Sequence, residues 1–450
     1  MLPFLLPVAA LAPGAHAPAA PDDGSSTSVP LDGRWSFALD PGGAPSTILV
    51  PGGRDAATGR VIGPSWQAQG HGPAGPDVKH GMQCPSENCP SAQVGRFSRD
   101  VAVPAGWLPP AGHQLVIWFG GIHRSANVSV NGQLLARHVG YLTPFEVDVT
   151  ALATAAAPLR LEVNVSSFHD WSVDNLLGTF DNPEISDAAS VPWGGIWGHV
   201  ELLRRPLAGW LASDMFVRAP TPADTVVSCG CRGCNGSAAQ GWHARLTVSE
   251  VGANATVATQ SAAVSAVSDP SGKLTLPVRF TQPADIKLWS PRATNLYLAR
   301  LCLTGPEGET LSCREARFGV RRIEIVKERF HLNGEPLMLL GYGDDCVCAD
   351  TLSAPSDKGY WLRRLRAIKQ YGFTFVRHHT GILPPEYYEA TDEVGILVSP
   401  ELPLTNYALG HTWTRAGVEL FQTSLKAAVT RFRNHPSIFD CECSNGRPGL

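Results

Sequence analysis

Charged and polar side chains follow several short apolar segments in the last part of the sequence. Arg377, His378 and His379 follow one such segment, Glu401 follows the next, and residues 444–446 follow the last. If these segments are parallel strands, their carboxyl ends meet at one edge of a sheet, where proteins of this architecture carry their reactive groups. An arginine there can orient a carboxylate or a hydroxyl through forked hydrogen bonds. This edge is therefore where the sequence predicts a site.

The elements that would position these side chains alternate between strand and helix patterns after Arg321. The strand patterns are PLMLLGYG, TFVRHH, ILVSPELP and SIFDCECSN. Helix patterns lie between them: residues 357–372, the segment PPEYYEATDEVG, and a longer helix that Asn434-His435-Pro436 closes. The apolar stripe of that longer helix consists of Val418, Phe421, Leu425, Val429 and Phe432. The order βαβαβαβ predicts a parallel sheet with helices outside it.

Four strands are half of what such a sheet needs to close into a barrel, because a barrel of this type has eight. The sequence therefore predicts the first half of a TIM barrel over residues 321–450, with the chain ending halfway round.

Two regions before residue 321 show the short alternating segments that are typical of β-structure. We expect a jelly-roll sandwich over residues 26–205, with a hairpin turn at Asn131-Gly132, and an immunoglobulin-like sandwich over residues 206–320.

The overall composition excludes some classes of function. The 450 residues are 44% hydrophobic and 17% charged, with a net charge of −4. No basic field is present that would attract a polyanion, so we expect no nucleic-acid partner. No run of 18 or more apolar residues exists to cross a bilayer, so we expect no membrane span.

The N-terminus indicates export from the cytosol. Residues 1–17 combine an apolar run with Ala15-His16-Ala17, a pattern typical of a signal-peptidase site, although a basic residue near Met1 is missing. Glycosylation sequons begin at Asn127, Asn164, Asn235 and Asn254. These features predict a secreted or lysosomal glycoprotein.

Eleven cysteines fit an oxidising compartment. Cys302 and Cys313 lie on two strand patterns joined by a turn, where a disulfide is plausible, and Cys84 and Cys89 flank a loop. The cluster Cys229, Cys231 and Cys234 admits either a zinc site or a disulfide-bearing loop. The disulfide is favoured because no fourth ligand stands at zinc-finger spacing.

Short motifs occur in a fixed order along the chain. They are Leu31-Asp32-Gly33-Arg34-Trp35-Ser36-Phe37, Val130-Asn131-Gly132, Gly140-Tyr141-Leu142-Thr143-Pro144-Phe145, Gly194-Gly195-Ile196-Trp197, Leu288-Trp289-Ser290-Pro291, Phe318-Gly319-Val320-Arg321, Leu332-Asn333-Gly334-Glu335-Pro336, Asp392-Glu393-Val394-Gly395 and Asn434-His435-Pro436-Ser437-Ile438. In this order they resemble glycoside hydrolase family 2, the family of β-galactosidases, β-glucuronidases and β-mannosidases. The resemblance implies a retaining exo-β-glycosidase with a carbohydrate substrate, and members of the family are often homo-oligomers.

The resemblance also implies where the catalytic groups belong. Retaining hydrolysis needs two carboxyl groups about 5 Å apart, one as proton donor and one as nucleophile. In the family the donor is a glutamate after an asparagine at the end of the fourth strand. By this resemblance Asn445 would hydrogen-bond the sugar 2-hydroxyl, and Gly446 occupies the position of the proton-donating glutamate. Glycine carries no proton, and the nucleophile belongs to later strands, so both catalytic glutamates are predicted to be missing from this chain.

The other candidate site residues each have two interpretations. Arg377 either orients a carboxylate or a sugar hydroxyl, or forms a structural ion pair. Glu401 either contacts a hydroxyl or supports the site from a buried position. His378 and His379 either reach the sugar or face solvent. We slightly favour the solvent-facing interpretation. Asp344 and Asp345 stand where the family usually has a loop bearing Arg or His, so the sugar subtype is open.

Glu442 and Asp440 fall on the fourth strand pattern but not at the acid's position, and we interpret them as polar strand residues or as products of a poor sequence end. The chemistry requires no metal or organic cofactor. A magnesium or sodium ion is conceivable only by analogy with the family, and the sequence provides no ligand set for it.

Three functions follow from these observations. The first is the glycosidase, represented by a chain that is either a fragment or a shortened product without activity. The second is a non-catalytic carbohydrate-binding protein or pseudoenzyme. The third, a structural β-sandwich adhesin, is weakened by the barrel motifs. A cluster of tryptophans suggests either sugar stacking or, as we favour, packing in the core and between domains. These are Trp66, Trp171, Trp193 and Trp197.

Overall fold

The structure is a computed structural model of the 450-residue chain. It describes residues 27–40, 42–55, 58–71, 94–140, 142–167, 194–235, 239–253, 255–344, 348, 350–351, 353–379, 381–402 and 414–442. Strands predominate, and their side chains form separate hydrophobic cores in the N-terminal, middle and C-terminal parts of the chain. The molecule is therefore a multidomain, β-rich protein.

The N-terminal strands form two principal antiparallel sheets, with the orders β1-β14-β7-β11 and β10-β9-β12-β6-β2-β3. The strands are β1 (Ser28–Pro30), β2 (Gly33–Asp40), β3 (Ser46–Val50), β4 (Gly53–Arg54), β5 (Val61–Ile62), β6 (Val94–Val101), β7 (His113–Phe119), β8 (Ile122–His123), β9 (Ser125–Val130), β10 (Gln133–Val139), β11 (Phe145–Asp148), β12 (Leu159–Ser166), β13 (Gly195–Ile196) and β14 (Val200–Pro206). Alternate residues of β2, β7, β12 and β14 are buried in one core, the period that a half-buried strand requires. The predicted Asn131-Gly132 turn is confirmed: it joins β9 to β10 with φ values of 52° and 80°.

The middle strands form two four-stranded antiparallel sheets around a second core, and β21 and β22 form a separate two-stranded sheet. The elements are β15 (Trp210–Leu211), β16 (Phe216–Arg218), β17 (Val226–Arg232), β18 (His243–Glu250), β19 (Thr256–Ala263), helix α1 (Val264–Val267), β20 (Lys273–Pro277), β21 (Trp289–Ser290), β22 (Ala293–Thr294), β23 (Tyr297–Thr304) and β24 (Thr310–Phe318). Disulfides join Cys302 to Cys313 and Cys231 to Cys234. The predicted hairpin bridge and the disulfide interpretation of the second cluster are thus confirmed, while Cys84 and Cys89 lie outside the described residues.

The C-terminal part contains the predicted parallel sheet and its helices. A short antiparallel sheet comes first, formed by β25 (Ile323–Val326), β26 (Arg329–Leu332) and β27 (Glu335–Pro336). Parallel strands β28 (Gly341–Asp344), β29 (Phe375–His378) and β30 (Leu397–Ser399) follow in the order β28-β29-β30. Helices α2 (Lys358–Gln370), α3 (Pro385–Val394) and α4 (Arg415–Phe432) connect or follow them. None of the helices in the described residues has the length and hydrophobicity needed to cross a bilayer.

Three sequence expectations need correction here. Only the end of PLMLLGYG is a strand, because Met338 and Leu340 are exposed and precede β28. The described part of SIFDCECSN makes only single parallel bridges, Val398 with Ile438 and Glu401 with Glu442. The predicted stripe of α4 holds only in part: Phe432 is buried and Phe421 and Leu425 pack against the C-terminal core, but Val429 is exposed, and Gly417, Ser424 and Ala428 complete the buried face.

The motif Asn434-His435-Pro436-Ser437 connects the C-terminal part to the rest of the molecule. Asn434 accepts a hydrogen bond from Val217 N of β16 at 2.9 Å and donates one at 2.8 Å to O of Met215, which lies just before β16. His435 Nδ1 lies 2.6 Å from buried Asp392 of α3, and Ser437 donates to the same carboxylate through N and Oγ. This motif therefore has a structural role: it fixes the end of α4 against α3 and the middle sheets.

Replacing Asn434 by alanine is expected to lower the free energy of unfolding by about 2 kcal/mol, because a buried backbone N–H and a buried carbonyl lose their partner. Chemical denaturation measures the change. Asn235→Ala serves as the control, since Asn235 is exposed and its side chain donates to Pro270 O in the described part of the chain; it should change stability by less than about 0.5 kcal/mol. Equal effects of the two substitutions would contradict the structural role of the motif.

The N-terminus of α2 is fixed by a residue that also contacts the N-terminal sheets. Asp357 accepts a hydrogen bond from Tyr360 N at 2.6 Å, and both of its oxygens accept from Arg54 at 2.8 and 2.9 Å. We expect Asp357→Ala to destabilise the protein by about 1 kcal/mol, mainly through the lost helix cap. Asp357→Ser should retain most of the stability, since serine caps equally well. If both variants lost the same amount, the ion pair rather than the cap would be responsible.

Candidate functional site

Side chains from the ends of the parallel strands converge on one arginine. Arg377, at the end of β29, donates from Nε to both oxygens of Glu442, at 3.0 and 2.9 Å. Its Nη2 donates to Glu401 Oε2 at 2.8 Å, and Ser399 Oγ donates to Glu442 Oε1 at 3.2 Å. The strand register explains the convergence, because Arg377 lies opposite Ser399 and Glu401 lies opposite Glu442. We call Arg377, Glu401 and Glu442 the arginine cluster.

The arginine cluster is buried on one side and open on the other. The side chain of Glu401 is 0% exposed, whereas those of Arg377 and Glu442 are 34% and 30% exposed. Val376 and Val398, which precede the polar residues on β29 and β30, are fully buried and anchor the strands. The cluster therefore presents a guanidinium and a carboxylate to the open edge of the sheet, where they can bind hydroxyl groups. For Arg377 and Glu401, the ion-pair and buried interpretations of the sequence are both realised.

Sequence reasoning did not identify Glu442 as a member of this cluster. Counting from the bridge between Val398 and Ile438, a regular register would place Cys441 opposite Glu401. The structure has one additional residue in this interval, which brings Glu442 opposite Glu401 instead. The interpretation of Glu442 as a polar strand residue did not foresee its ion pair with Arg377, and no pattern in the sequence marks the additional residue.

His378 does not face solvent, contrary to the alternative that we favoured. It is fully buried on β29, with Nε2 2.8 Å from Tyr387 Oη of α3. Burial lowers the pKa of His378 to about 4; Asp344 opposes this shift and Arg364 adds to it. The imidazole is therefore neutral at physiological pH and serves the packing of β29 on α3. His379 is half-buried, and its backbone N donates to Asp344 O at 2.9 Å.

Asp344, at the end of β28, forms an ion pair with Arg364 of α2, with Nη2 3.1 Å from Oδ2. This contact accounts for a carboxylate at a position where the family usually has a loop bearing Arg or His. Asp345, Asn445 and Gly446 lie outside the described residues. The predicted role of Asn445 and the missing acid at Gly446 therefore stay predictions.

The packing interpretation of the tryptophans is confirmed for the two that the structure describes. Trp66 is fully buried in the N-terminal core, and Trp197 is covered by the guanidinium of Arg431, 5.2 Å from its ring centre. Trp171 and Trp193 lie outside the described residues. Within the described ranges, no group of three His, Cys, Asp or Glu side chains is placed so that it could hold a metal ion.

Known proteins resemble this chain over most of its length. Residues 29–206 match the sugar binding domain of glycosyl hydrolases family 2. A β-galactosidase of Enterobacter cloacae is 26% identical, covering 94% of this chain and 40% of the relative. A β-glucuronidase of Paenibacillus borealis is 22% identical, covering 76% of this chain and 56% of the relative. The chain thus spans about half or less of the length of these relatives.

A solved structure shows the same fold. The β-glucuronidase of Bifidobacterium dentium, solved with coumarin-3-O-glucuronide, aligns with a TM-score of 0.66 at 20% identity, covering 96% of this chain and 69% of that chain. The fold, the matched sugar binding domain and the curated relatives agree with one another and with the ordered motifs. The chain as a whole is therefore similar to members of glycoside hydrolase family 2, whose sugar binding domain its residues 29–206 match.

Proposed function

We propose that this chain forms the substrate-binding part of a retaining exo-β-glycosidase, with the arginine cluster on the sugar. In this proposal residues 26–205 are a jelly-roll sugar-binding domain, residues 206–320 an immunoglobulin-like domain and residues 321–450 the first half of a TIM barrel. The observation that carries the proposal is the position of the cluster at the carboxyl ends of parallel strands, where barrel enzymes bind their substrates.

The carboxylates of the cluster are poorly arranged for hydrolysis itself. Retaining cleavage requires one carboxyl group as acid and a second as nucleophile, on two sides of the scissile bond. Glu401 and Glu442 instead accept hydrogen bonds from the same guanidinium. We therefore assign them to binding and positioning, and we assign catalysis to other glutamates of the proposed enzyme.

An exposed apolar surface next to the sheet supports this division. Met338 and Leu340, which lead into β28, are 85% and 53% exposed, and Ile325 and Phe330 of the adjacent hairpin are exposed as well. Large apolar side chains grouped at a surface generally mark a contact with further polypeptide. In the proposed enzyme the remaining barrel strands cover this surface and supply the catalytic pair.

The relatives, which are β-galactosidases and β-glucuronidases, support a glycoside as the substrate. We propose a β-galactoside, β-glucuronide or β-mannoside.

Disulfides and exposed sequon residues Asn127 and Asn164 support a secreted or lysosomal glycoprotein. The competing function is a non-catalytic carbohydrate-binding protein. One arginine holds both carboxylates of the cluster, which leaves them poorly arranged for catalysis. This observation favours the non-catalytic alternative.

The test combines hydrolysis and binding on the purified 450-residue chain. We expect no release of p-nitrophenol from its β-galactoside, β-glucuronide or β-mannoside, but measurable binding of one of the matching methyl glycosides by calorimetry. Arg377→Lys keeps the positive charge but loses the planar guanidinium with its paired N–H donors, and it should weaken that binding roughly tenfold. Arg415→Lys, on the exposed face of α4, is the control. Hydrolysis by this chain, or binding that Arg377→Lys leaves unchanged, would reject the assignment.

A further inference from the structure

A second cavity lies away from the arginine cluster, where the N-terminal sheets, the middle sheets and helices α3 and α4 meet. Its volume is about 760 Å³, within the range of small-molecule sites. Its wall includes half-buried Trp118 of β7, Arg314 of β24, and Lys426 and Arg431 of α4. No member of the arginine cluster is part of this wall. We call it the junction cavity.

Every carboxylate in the wall of the junction cavity already has a cationic partner. The pairs, with closest N–O distances of 2.7, 3.5 and 3.5 Å, are Glu386 with His199, Glu389 with Arg317 and Glu315 with Arg300. Burial opposes protonation of His199, but its hydrogen bonds to Asp32 and Glu386 outweigh burial and raise its pKa to about 10. The histidine is therefore a cation at neutral pH, and the negative charges of the wall are compensated within the protein.

Three cations of the same wall have no carboxylate partner. Within the part of the chain that the structure describes, Arg314, Lys426 and Arg431 form no ion pair. Lys426 is exposed on α4, whereas the two arginines are half-buried. Positive charge therefore exceeds negative charge around the junction cavity.

The two arginines are held by neutral groups only. Arg314 Nε donates to Leu211 O at 3.1 Å, and Arg431 Nη2 donates to Gly120 O at 2.6 Å. Burial lowers the pKa of Arg314 and lowers that of Arg431 to about 10, because water is removed from each cation without a carboxylate in contact to replace it. The two Nη atoms of Arg314 make no hydrogen bond among the described residues and are not buried, so they remain available as donors.

These charges favour an anion as the ligand. His199 is shared with Asp32 behind the wall, and even with that carboxylate included the three unpaired cations leave a surplus of two positive charges. A phosphate group carries nearly two negative charges at neutral pH and presents three strong acceptor oxygens. Arginine binds such oxygens through paired N–H donors, and lysine contributes a point charge. The cavity is larger than a bare phosphate ion, and the ring of Trp118 offers an apolar wall to an organic substituent.

We propose that the junction cavity is a binding site for a phosphate group, with Arg314, Lys426 and Arg431 as its cationic partners. The site shares no residue with the arginine cluster and goes beyond the proposed function. Its ligand contacts the N-terminal sheets, the middle sheets and the helices, so we expect the bound phosphate to stabilise the folded chain.

Phosphorus NMR titration of the full chain, at neutral pH and constant ionic strength, tests the proposal. The probes are glycerol 3-phosphate and inorganic phosphate, and we expect at least one of them to bind with a Kd of about 1 mM. Tighter binding of glycerol 3-phosphate would identify a phosphate monoester as the ligand, and equal or tighter binding of inorganic phosphate would identify the free ion. The absence of binding by both probes would overturn the proposal.

Substitutions in the wall locate the bound phosphate. Arg314→Gln should weaken binding roughly tenfold, because the phosphate loses charged donors. Lys426 is exposed, so its replacement should leave the fold intact; Lys426→Gln should weaken binding about threefold, and Lys426→Glu should weaken it further through repulsion. Arg415→Gln is the matched control, since Arg415 lies on the same helix but is paired with Glu419, and it should leave the Kd unchanged.

Binding that survives both Arg314→Gln and Lys426→Glu would place the phosphate elsewhere and overturn the proposal. Neither probe contains a glycosidic bond or a sugar ring. The outcome is therefore independent of the glycoside titrations that test the proposed function.

Discussion

Replacing Arg377 by alanine is expected to lower the free energy of unfolding by about 3 kcal/mol. Arg377 donates to Glu401 and to Glu442, and the side chain of Glu401 is completely buried. Without the guanidinium, the buried carboxyl group of Glu401 loses its main counter-charge in a low-dielectric environment. Removing one partner of a buried pair typically costs 3–5 kcal/mol, and the partial exposure of Arg377 places the expected value at the lower end.

A double-mutant cycle in chemical denaturation checks the cause of this loss. The variant that combines Arg377→Ala with Glu401→Gln should recover a large part of the stability, because the amide leaves no charge unpaired. Arg415→Ala, which removes an exposed pair with Glu419, is the matched control and should have an effect below about 0.5 kcal/mol. A loss for Arg377→Ala as small as that of the control would mean that the arginine cluster is not formed.

Acidification from pH 6.5 to 4 is expected to remove about 3 kcal/mol of stability through His378 alone. The pKa of His378 is about 4 in the folded protein because of burial, against 6.5 for the free side chain. Between these values only the unfolded state binds the proton, so stability is complete above pH 6.5 and is lost progressively as the pH falls to 4. At 1.36 kcal/mol for each pH unit, the interval corresponds to about 3 kcal/mol.

Unfolding free energies measured from pH 7 to 4 for the wild type and for His378→Gln test this prediction. The variant should lose about 3 kcal/mol less than the wild type over the interval, since glutamine does not titrate. Tyr387→Phe removes the hydrogen-bond partner but retains the histidine, so its pH dependence should resemble that of the wild type. Parallel curves for the wild type and His378→Gln would contradict the assignment of a buried neutral imidazole.

Helix boundaries in the C-terminal part were predictable from the sequence because their signals are local. Asp357 caps α2, and proline opens α3, which ends at Gly395 with a φ of 78° that favours glycine. The polar contacts of these helices were not predictable. Asp392, His435 and Ser437 are distant in sequence and meet only when α3 and α4 are packed.

The candidate site was predictable in location and less so in composition. Strand periodicity placed Arg377 and Glu401 at one edge of a sheet, and the structure brings them within 2.8 Å. Glu442 was missed because a single additional residue changes the register of its segment, and His378 was misjudged because a histidine beside a strand end can point to either face. Register and side-chain direction depend on the assembled sheet, not on the local sequence.

We propose that this chain is part of a β-glycosidase whose catalytic glutamates lie outside the arginine cluster. Sequencing the transcript across the codons for residues 434–450 tests it most directly. We predict a message that continues in frame with glutamate directly after Asn445 and then encodes further βα units. A message that ends after Leu450 would contradict the claim and favour the non-catalytic carbohydrate-binding protein.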